Sequence, residues 1–315
     1  MLDIHKIPVK TPYEVGPVNC YLIKNKPYTL IDPGHNSDAA KNSLIAGLRG
    51  LNVEIDDVEQ VILTHSHLDH SGLALWVQRL SGAQIYMHHL EMRKLTPGYD
   101  FYLERLSFLQ EAGLPSDMLY NILHDFDPVE HDELFYEEAA FLNEGDVLTF
   151  SDGDMTVKHL PGHSDGHICF FEEDSRRLLA GDFMLKEITP NPNMEPDVND
   201  FTQRQPVLRQ YLEALRAAEE LHPRIILPGH GDIIEDAMDA LKRGRVHHQK
   251  RLRLVYNTLK GNNMSVYQLM RVFYPDIKGF EVYLGISEVF AHVDYLVSQG
   301  KLFKQAAKAI CLYHT

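Results

Sequence analysis

Three histidines and an aspartate fall within Thr64-His65-Ser66-His67-Leu68-Asp69-His70, directly after the apolar run Val61-Ile62-Leu63. That run reads as a short buried strand, and a polar cluster at a strand end is a usual place for a loop-borne site. Imidazoles with a carboxylate and no cysteine are the donor set of a borderline divalent metal. Alternation along an extended loop sends His65, His67 and Asp69 one way, with His70 returning toward them where the chain turns. Four donors this dense point to two metals. The competing reading is a polar loop in a chain that holds 18 histidines.

The pattern recurs downstream. Met155–Leu160 runs into Pro161-Gly162-His163-Ser164-Asp165-Gly166-His167. Arg177–Ala180 runs into Gly181-Asp182, a carboxylate beside a glycine that permits close approach. Ile225-Ile226-Leu227 runs into Pro228-Gly229-His230-Gly231-Asp232. Each of these three is weak alone, but together with the first motif they form a constellation that random core histidines rarely produce. Upstream, Thr29-Leu30-Ile31 ends in Asp32-Pro33-Gly34. Asp32 is either a turn former or a carboxylate that orients a ligand histidine.

A chain of 315 residues is long enough for one large domain, or one of about 230 residues plus a small one. Its 44% hydrophobic and 24% charged content is ordinary for a soluble globular protein. No apolar run approaches a membrane span, and the start lacks a signal pattern, so the expected location is cytoplasmic with no membrane partner. Cys20, Cys169 and Cys311 make neither a disulfide framework nor a Cys-x-x-Cys zinc site, and are expected to be small buried residues. The net charge of −15 argues against a general nucleic-acid binder. Residues 236–315 hold 12 Lys and Arg against 6 Asp and Glu, which leaves −21 on the first 235 and hints at a boundary near 236.

In chain order, strands are predicted over 3–10, 19–23, 29–31, 60–63 and 84–88, with helices over 38–50 and 72–81. Residues 91–143 break that rhythm and read as a helical insertion beside the site, with helices near 101–109 and 116–124, that shapes a substrate pocket or simply packs. His88, His89, His124 and His131 read as ordinary polar residues. Strands resume at 144–150, and a helix is predicted over 204–221. The tail reads as a long helix over 236–260, basic from Lys242 to Arg253, then a helix capped by Ser265, a helix over 284–299 stopped by Gly300, and a hairpin at 302–304 and 309–313.

His65-x-His67-x-Asp69-His70, His163 in Pro-Gly-His-Ser, Gly181-Asp182 and His230 in Pro-Gly-His-Gly resemble, in order and context, the motifs of the metallo-β-lactamase superfamily. Asp32-Pro33-Gly34 resembles its first motif. The resemblance covers residues 3–235 and implies an α/β (α+β) fold, an αββα sandwich of two similar halves with metals at one edge between the sheets. It implies a catalytic domain over 1–235 that includes the 91–143 insertion. Residues 236–315 resemble the small winged-helix-like tail of the lactamase-β-2-like, glyoxalase-II-like branch. By the resemblance, His65, His67 and His163 bind a first metal, Asp69, His70 and His230 a second, and Asp182 bridges them. Asp32 supports a ligand from behind. His67 stands where the family's flavodiiron oxygen reductases have glutamate, which disfavours a diiron redox role. The second site is complete, unlike that of the mononuclear iron sulfur dioxygenases. Asp182 and the missing signal set aside a secreted antibiotic lactamase.

The implied cofactors are two divalent ions, Zn²⁺ first, with Mn²⁺ or Fe²⁺ accepted by the same donors. The expected activity is attack of a metal-held hydroxide on a small acyl substrate (thioester, ester or lactone), with Asp69 orienting the hydroxide or passing on its proton. Lys186, Phe183, Tyr99 and Tyr102 are the expected substrate contacts. The alternative is a single-strand endoribonuclease or phosphodiesterase, which the basic tail favours and the acidic body opposes, and no β-CASP insertion is evident. A third reading is a metal-domain sensor with a DNA-binding tail. The basic helix otherwise docks on the acidic body, in the same chain or in a partner subunit of a homodimer.

Overall fold

The computed structural model describes residues 1–124, 139–307 and 310–315. The chain divides into two compact units: Met1–Tyr99, His131–Pro190 and Ala214–Lys242 form the first, and Asp100–Glu130, Asn191–Glu213 and Arg243–Thr315 the second.

The first unit is a mixed α/β fold built on two sheets. One sheet runs Ile4–Val9, Val18–Ile23, Thr29–Ile31, Gln60–Ile62, Gln84–Met87 and Ala140–Phe141 in that order. Its first three strands are antiparallel and the rest join in parallel. The other sheet runs Ile225–Pro228, Arg177–Gly181, Ile168–Glu172, Gly153–His159 and Val147–Phe150.

The side-chain period of two explains the layering. Val18–Ile23 is buried along its whole length, because Val18, Cys20 and Leu22 face a core shared with the helices Asp38–Gly50 and Ala74–Ser81, while Tyr21 and Ile23 face the other sheet. Leu30 and Val61 repeat the first orientation, and Ile31 and Ile62 the second. Strands covered on both faces read as near-continuous apolar runs, which is why Val61-Ile62-Leu63 shows no alternation. The two sheets are tied at one edge, where Asn19 N–H donates to the Gly229 carbonyl at 2.6 Å and Val18 bridges His230.

The second unit packs Phe108 and Leu109 with Val255, Leu259, Leu269, Tyr283, Ile286, Phe290 and Val293 in one core. Its C-terminal part has the helices Val266–Phe273 and Phe280–Ser298 and the hairpin Phe303–Ala307 with Ile310–His314. Ser265 caps its helix as expected: its hydroxyl accepts from Gln268 N, and the Gln268 side chain accepts from Ser265 N in return.

Several expectations shift. The strand predicted over 144–150 begins at Val147, because Asn143–Asp146 forms a turn closed by Asp146 N–H to the Asn143 carbonyl at 3.1 Å. The helix near 101–109 is a short 3₁₀ turn, Leu103–Arg105, followed by Leu106–Glu111. The helix expected over 72–81 starts at Ala74, after a single separate turn, Leu68–Ser71. The strands Ala140–Phe141, Pro196–Asp197 and Asp200–Arg204 carry no sequence pattern long enough to be read. Cys20 and Cys169 are buried, whereas Cys311 is only half-buried. His131, much of the second half of 91–143 and Ala309 lie outside the described residues. Among the described residues, no helix is long and apolar enough to cross a membrane.

Candidate metal centre

Each chemically active side chain stands where a strand gives way to a loop. Asp32 follows Thr29–Ile31, Thr64 and His65 follow Gln60–Ile62, Asp182 follows Arg177–Gly181, and His230 follows Ile225–Pro228. His163 lies between Gly153–His159 and Ile168–Glu172. His67 precedes the turn Leu68–Ser71, which carries Asp69 and His70. The glycines beside them are steric necessities. A Cβ on Gly229 would stand 2.4 Å from Asp182 Oδ1, and one on Gly181, whose φ is +47°, would stand 2.6 Å from Thr64 Oγ1.

Two donor groups converge in the first unit. In one, His67 Nδ1 lies 2.9 Å from His65 Nε2 and 3.0 Å from His163 Nε2. In the other, His230 Nε2 lies 3.2 Å from Asp69 Oδ2, and His70 Nε2 lies 3.9 Å from the same oxygen. Asp182 faces both. Its Oδ2 is 3.6 Å from His163 Nε2, and its Oδ1 is 3.5 Å from His70 Nε2 and 3.8 Å from His230 Nε2.

The hydrogen bonds behind the rings fix which nitrogen carries a lone pair. Thr64 Oγ1 donates to Asp32 Oδ2 at 2.7 Å and therefore accepts from His65 Nδ1 at 2.9 Å, which leaves Nε2 of a neutral His65 as the free donor atom. His70 Nδ1 donates to Asp32 Oδ2 at 2.9 Å, and His230 Nδ1 donates to the Pro17 carbonyl at 3.0 Å. Asp32 thus fixes the ring of His70, a candidate ligand, and itself stands at the turn with a φ of +54°. A third acidic-histidine cluster, Asp32 with His65 and His70, is geometrically close. It is a hydrogen-bonded network instead, since both Asp32 oxygens are engaged by Thr64 N, Thr64 Oγ1 and His70 Nδ1.

These groups fit cations. His70 Nε2 and Asp182 Oδ1 are buried with no hydrogen-bond partner among the described residues, a costly state that coordination relieves. Ligand atoms around a tetrahedral zinc stand about 3.3 Å apart, and the spacings above bracket that value. Burial, then the neighbouring His70 and His67, hold His65 well below the usual imidazole range. Burial and the neighbouring His163 bring His67 down to about 4. Both are neutral and able to ligate at pH 7. Burial also pushes His70 down, but the carboxylates of Asp182, Asp32 and Asp69 outweigh it and raise the ring well above its ordinary value. Asp69 is pushed up by burial, yet His70 and the His230 hydrogen bond bring it to about 2.

The expected substrate residues differ in burial. Phe183 is fully buried and presents no face to solvent. Lys186 is exposed and pairs with Asp232 at 3.5 Å. Tyr99 lies under the Arg93 guanidinium at 5.3 Å. Tyr102 belongs to the second unit, where its ring meets Phe101 edge-on.

Sequence reasoning missed several supports. Thr64 was open to detection, as a hydroxyl directly beside a ligand histidine. His167 stacks on His65 at 5.0 Å and accepts from Asp182 N at 3.2 Å. Tyr13 meets His35 edge-on at 5.7 Å, and burial together with the Asp69 charge pushes its hydroxyl up to about 12. Neither has a spacing that marks it in sequence.

Comparison with known proteins places these features in context. Residues 13–230 match the family model described as the metallo-beta-lactamase superfamily. A Bacillus subtilis (strain 168) protein named probable metallo-hydrolase YqjP is 30% identical over 308 residues, covering 94% of this chain and 93% of that one. The Homo sapiens acyl-coenzyme A thioesterase MBLAC2 is 30% identical over 125 residues, covering 38% of this chain and 39% of that protein. The crystal structure of metallo-beta-lactamase family protein TTHA1429 from Thermus thermophilus superposes with a TM-score of 0.83 at 25% identity, covering 99% of this chain and 98% of that one.

Proposed function

The chain belongs to the metallo-beta-lactamase superfamily and is a metal-dependent hydrolase, and we propose that it cleaves a small acyl thioester with two divalent ions, zinc in the working enzyme. The observation that carries the two-ion reading is Asp182, one oxygen of which faces each donor group. His65, His67 and His163 would hold one ion, Asp69, His70 and His230 the other, and Asp182 would touch both. Bound ions of this kind supply Lewis acidity, lowering the pKa of water toward about 7 and polarising a carbonyl oxygen.

The chain's own residues do the rest. Asp69, ionised at neutral pH, would orient the attacking water, take up its proton as the C–O bond forms, and pass that proton on to the thiolate released when the C–S bond breaks. The hydrogen bonds that His65, His70 and His230 donate to Thr64, Asp32 and the Pro17 carbonyl hold these three imidazoles in one tautomer, so that no proton shifts within the rings during turnover.

The thioester reading draws support from the thioesterase named above, whose similarity falls in a stretch of 125 residues. The phosphodiester reading needs a free positive track. The basic helix offers less than its sequence promised. Arg251 is paired to Glu288 at 3.0 Å and packed on Phe273 and Tyr274, and His248 is buried. We read residues 236–315 as a winged-helix-like tail. The test is a hydrolysis panel on metal-reconstituted protein, with acyl-coenzyme A and other acyl thioesters, lactones, phosphodiesters and short RNA. Thioesters should turn over with the highest kcat/KM. Preferential cleavage of RNA, or of lactones, would replace the substrate class, and activity on none would remove the hydrolase reading.

A further inference from the structure

Glu91 is a fully buried carboxylate outside every donor group described above. It sits on the short helix His89–Met92, and its two oxygens serve two different loops. Oε2 accepts from Ser66 N at 2.9 Å and from the Ser66 hydroxyl. Oε1 accepts from Gly166 N at 2.7 Å and from the Ser164 hydroxyl. Ser66 lies between His65 and His67, and Ser164 directly follows His163. Lys94 completes the arrangement, with its ammonium 2.6 Å from Asp165 Oδ1, 2.8 Å from Ser164 Oγ and 3.4 Å from Glu91 Oε1. Gly166 has to be glycine here, since a Cβ would stand 2.7 Å from Glu91 Oε1.

A buried ion pair is costly unless its remaining donors and acceptors are satisfied. Burial pushes Glu91 up, but Lys94 and the hydrogen bonds from Ser164, Ser66 and Gly166 hold it well below the usual carboxylate range. The pair is therefore ionised and fully engaged. The three imidazoles of the first donor group come from just these two loops. The second group is held differently, with Asp32 behind His70 and the Pro17 carbonyl behind His230.

We infer that Glu91 and Lys94 are positioning residues that clamp the two loops of the His65, His67 and His163 site, and so set the affinity of that ion selectively. The inference rests on the two-ion reading above. Glu91→Gln keeps the volume but turns one acceptor into a donor that faces N–H and O–H groups on at least one loop.

The test titrates metal-free wild type, E91Q, K94M, H163A and H230A with Co²⁺, following the visible cobalt spectrum, the ion count by mass spectrometry and thermal unfolding. Wild type should bind two ions. E91Q should weaken one ion by about 10–100-fold, the range for lost outer contacts, and leave the other within about twofold. Its isotherm should match that of H163A and not that of H230A, and K94M should shift in the same direction. If E91Q fails to fold, S66A removes one hydroxyl donor only and should weaken the same ion. A wild-type chain that takes up fewer than two ions overturns the two-ion reading and the clamp with it. Wild type with two ions and a folded E91Q that binds both at wild-type affinity, or weakens both equally, overturns the clamp alone.

Discussion

His70 Nε2 lies 3.5 Å from Asp182 Oδ1, and neither atom has a hydrogen-bond partner among the described residues. The contact is too long for a good hydrogen bond, and both groups are buried. A shared cation would resolve the contradiction. Asp182→Asn removes the negative charge that faces the two donor groups, so metal content and hydrolysis should fall together, activity by roughly 100-fold or more. Metal analysis beside kcat measures both, and full occupancy with undiminished turnover would contradict the bridging position.

Asp32 acts one atom further out. Its carboxylate fixes the His70 tautomer and, through Thr64, that of His65. Asp32→Asn should cost about 10–100-fold in metal affinity while leaving the ligand set intact. Competition with a chelator of known affinity reads this directly, and an unchanged affinity would reduce Asp32 to a turn former.

Ion uptake should also be coupled to pH, and the two donor groups enter that coupling with imidazoles shifted in opposite directions. His65 and His67 are neutral at pH 7 because burial and neighbouring imidazoles depress them. Burial works against protonation of His70 and His230 too, but their carboxylate neighbours raise both. A raised pKa means that the metal-free ring keeps its proton to higher pH, and a cation must displace it. Metal binding should therefore release protons, and affinity should weaken as pH falls. Calorimetry of zinc uptake in two buffers of different ionisation enthalpy measures the number released. H230A should release fewer than wild type.

The second unit carries its own pH dependence. His248 and His292 are buried, with His248 Nδ1 and His292 Nε2 3.1 Å apart and His292 Nδ1 donating to the Glu288 carbonyl at 2.7 Å. Burial, with the neighbouring charges, lowers each ring to about 3. The unfolded chain binds these protons near pH 6.5 and the folded chain near 3, so the unfolded state gains protons throughout that window. The contribution of these two histidines to stability should be constant above pH 6.5 and fall below it by about 1.4 kcal/mol per pH unit for each. Urea melts between pH 7 and 4.5 test this, and H292Q should flatten the slope.

Much of the centre was legible in sequence because metal ligands must be particular residue types at strand ends. His65, His67, Asp69, His70, His163, Asp182 and His230 all announce themselves that way, and the structure brings all seven together. The supports are harder to read. Glu91, two residues after His88-His89 and followed by Met92 and Arg93, has the look of a solvated surface charge. Only the fold reveals that the loops around His65 and His163 close over it. Phe183, whose place after Asp182 suggests a pocket wall, is fully buried. The long helix at 237–259 was clear from its pattern, but its basic run mixes exposed Lys250 with inward-committed Arg251, which charge counting does not separate.

The most direct measurement is a titration of metal-free protein with zinc while acyl-thioester hydrolysis is followed in the same cuvette. Turnover should be negligible without metal, rise with added zinc, and level off at two equivalents per chain. Hydrolysis that is complete in the metal-free protein, or that is absent with two ions bound, would contradict a two-ion thioester hydrolase.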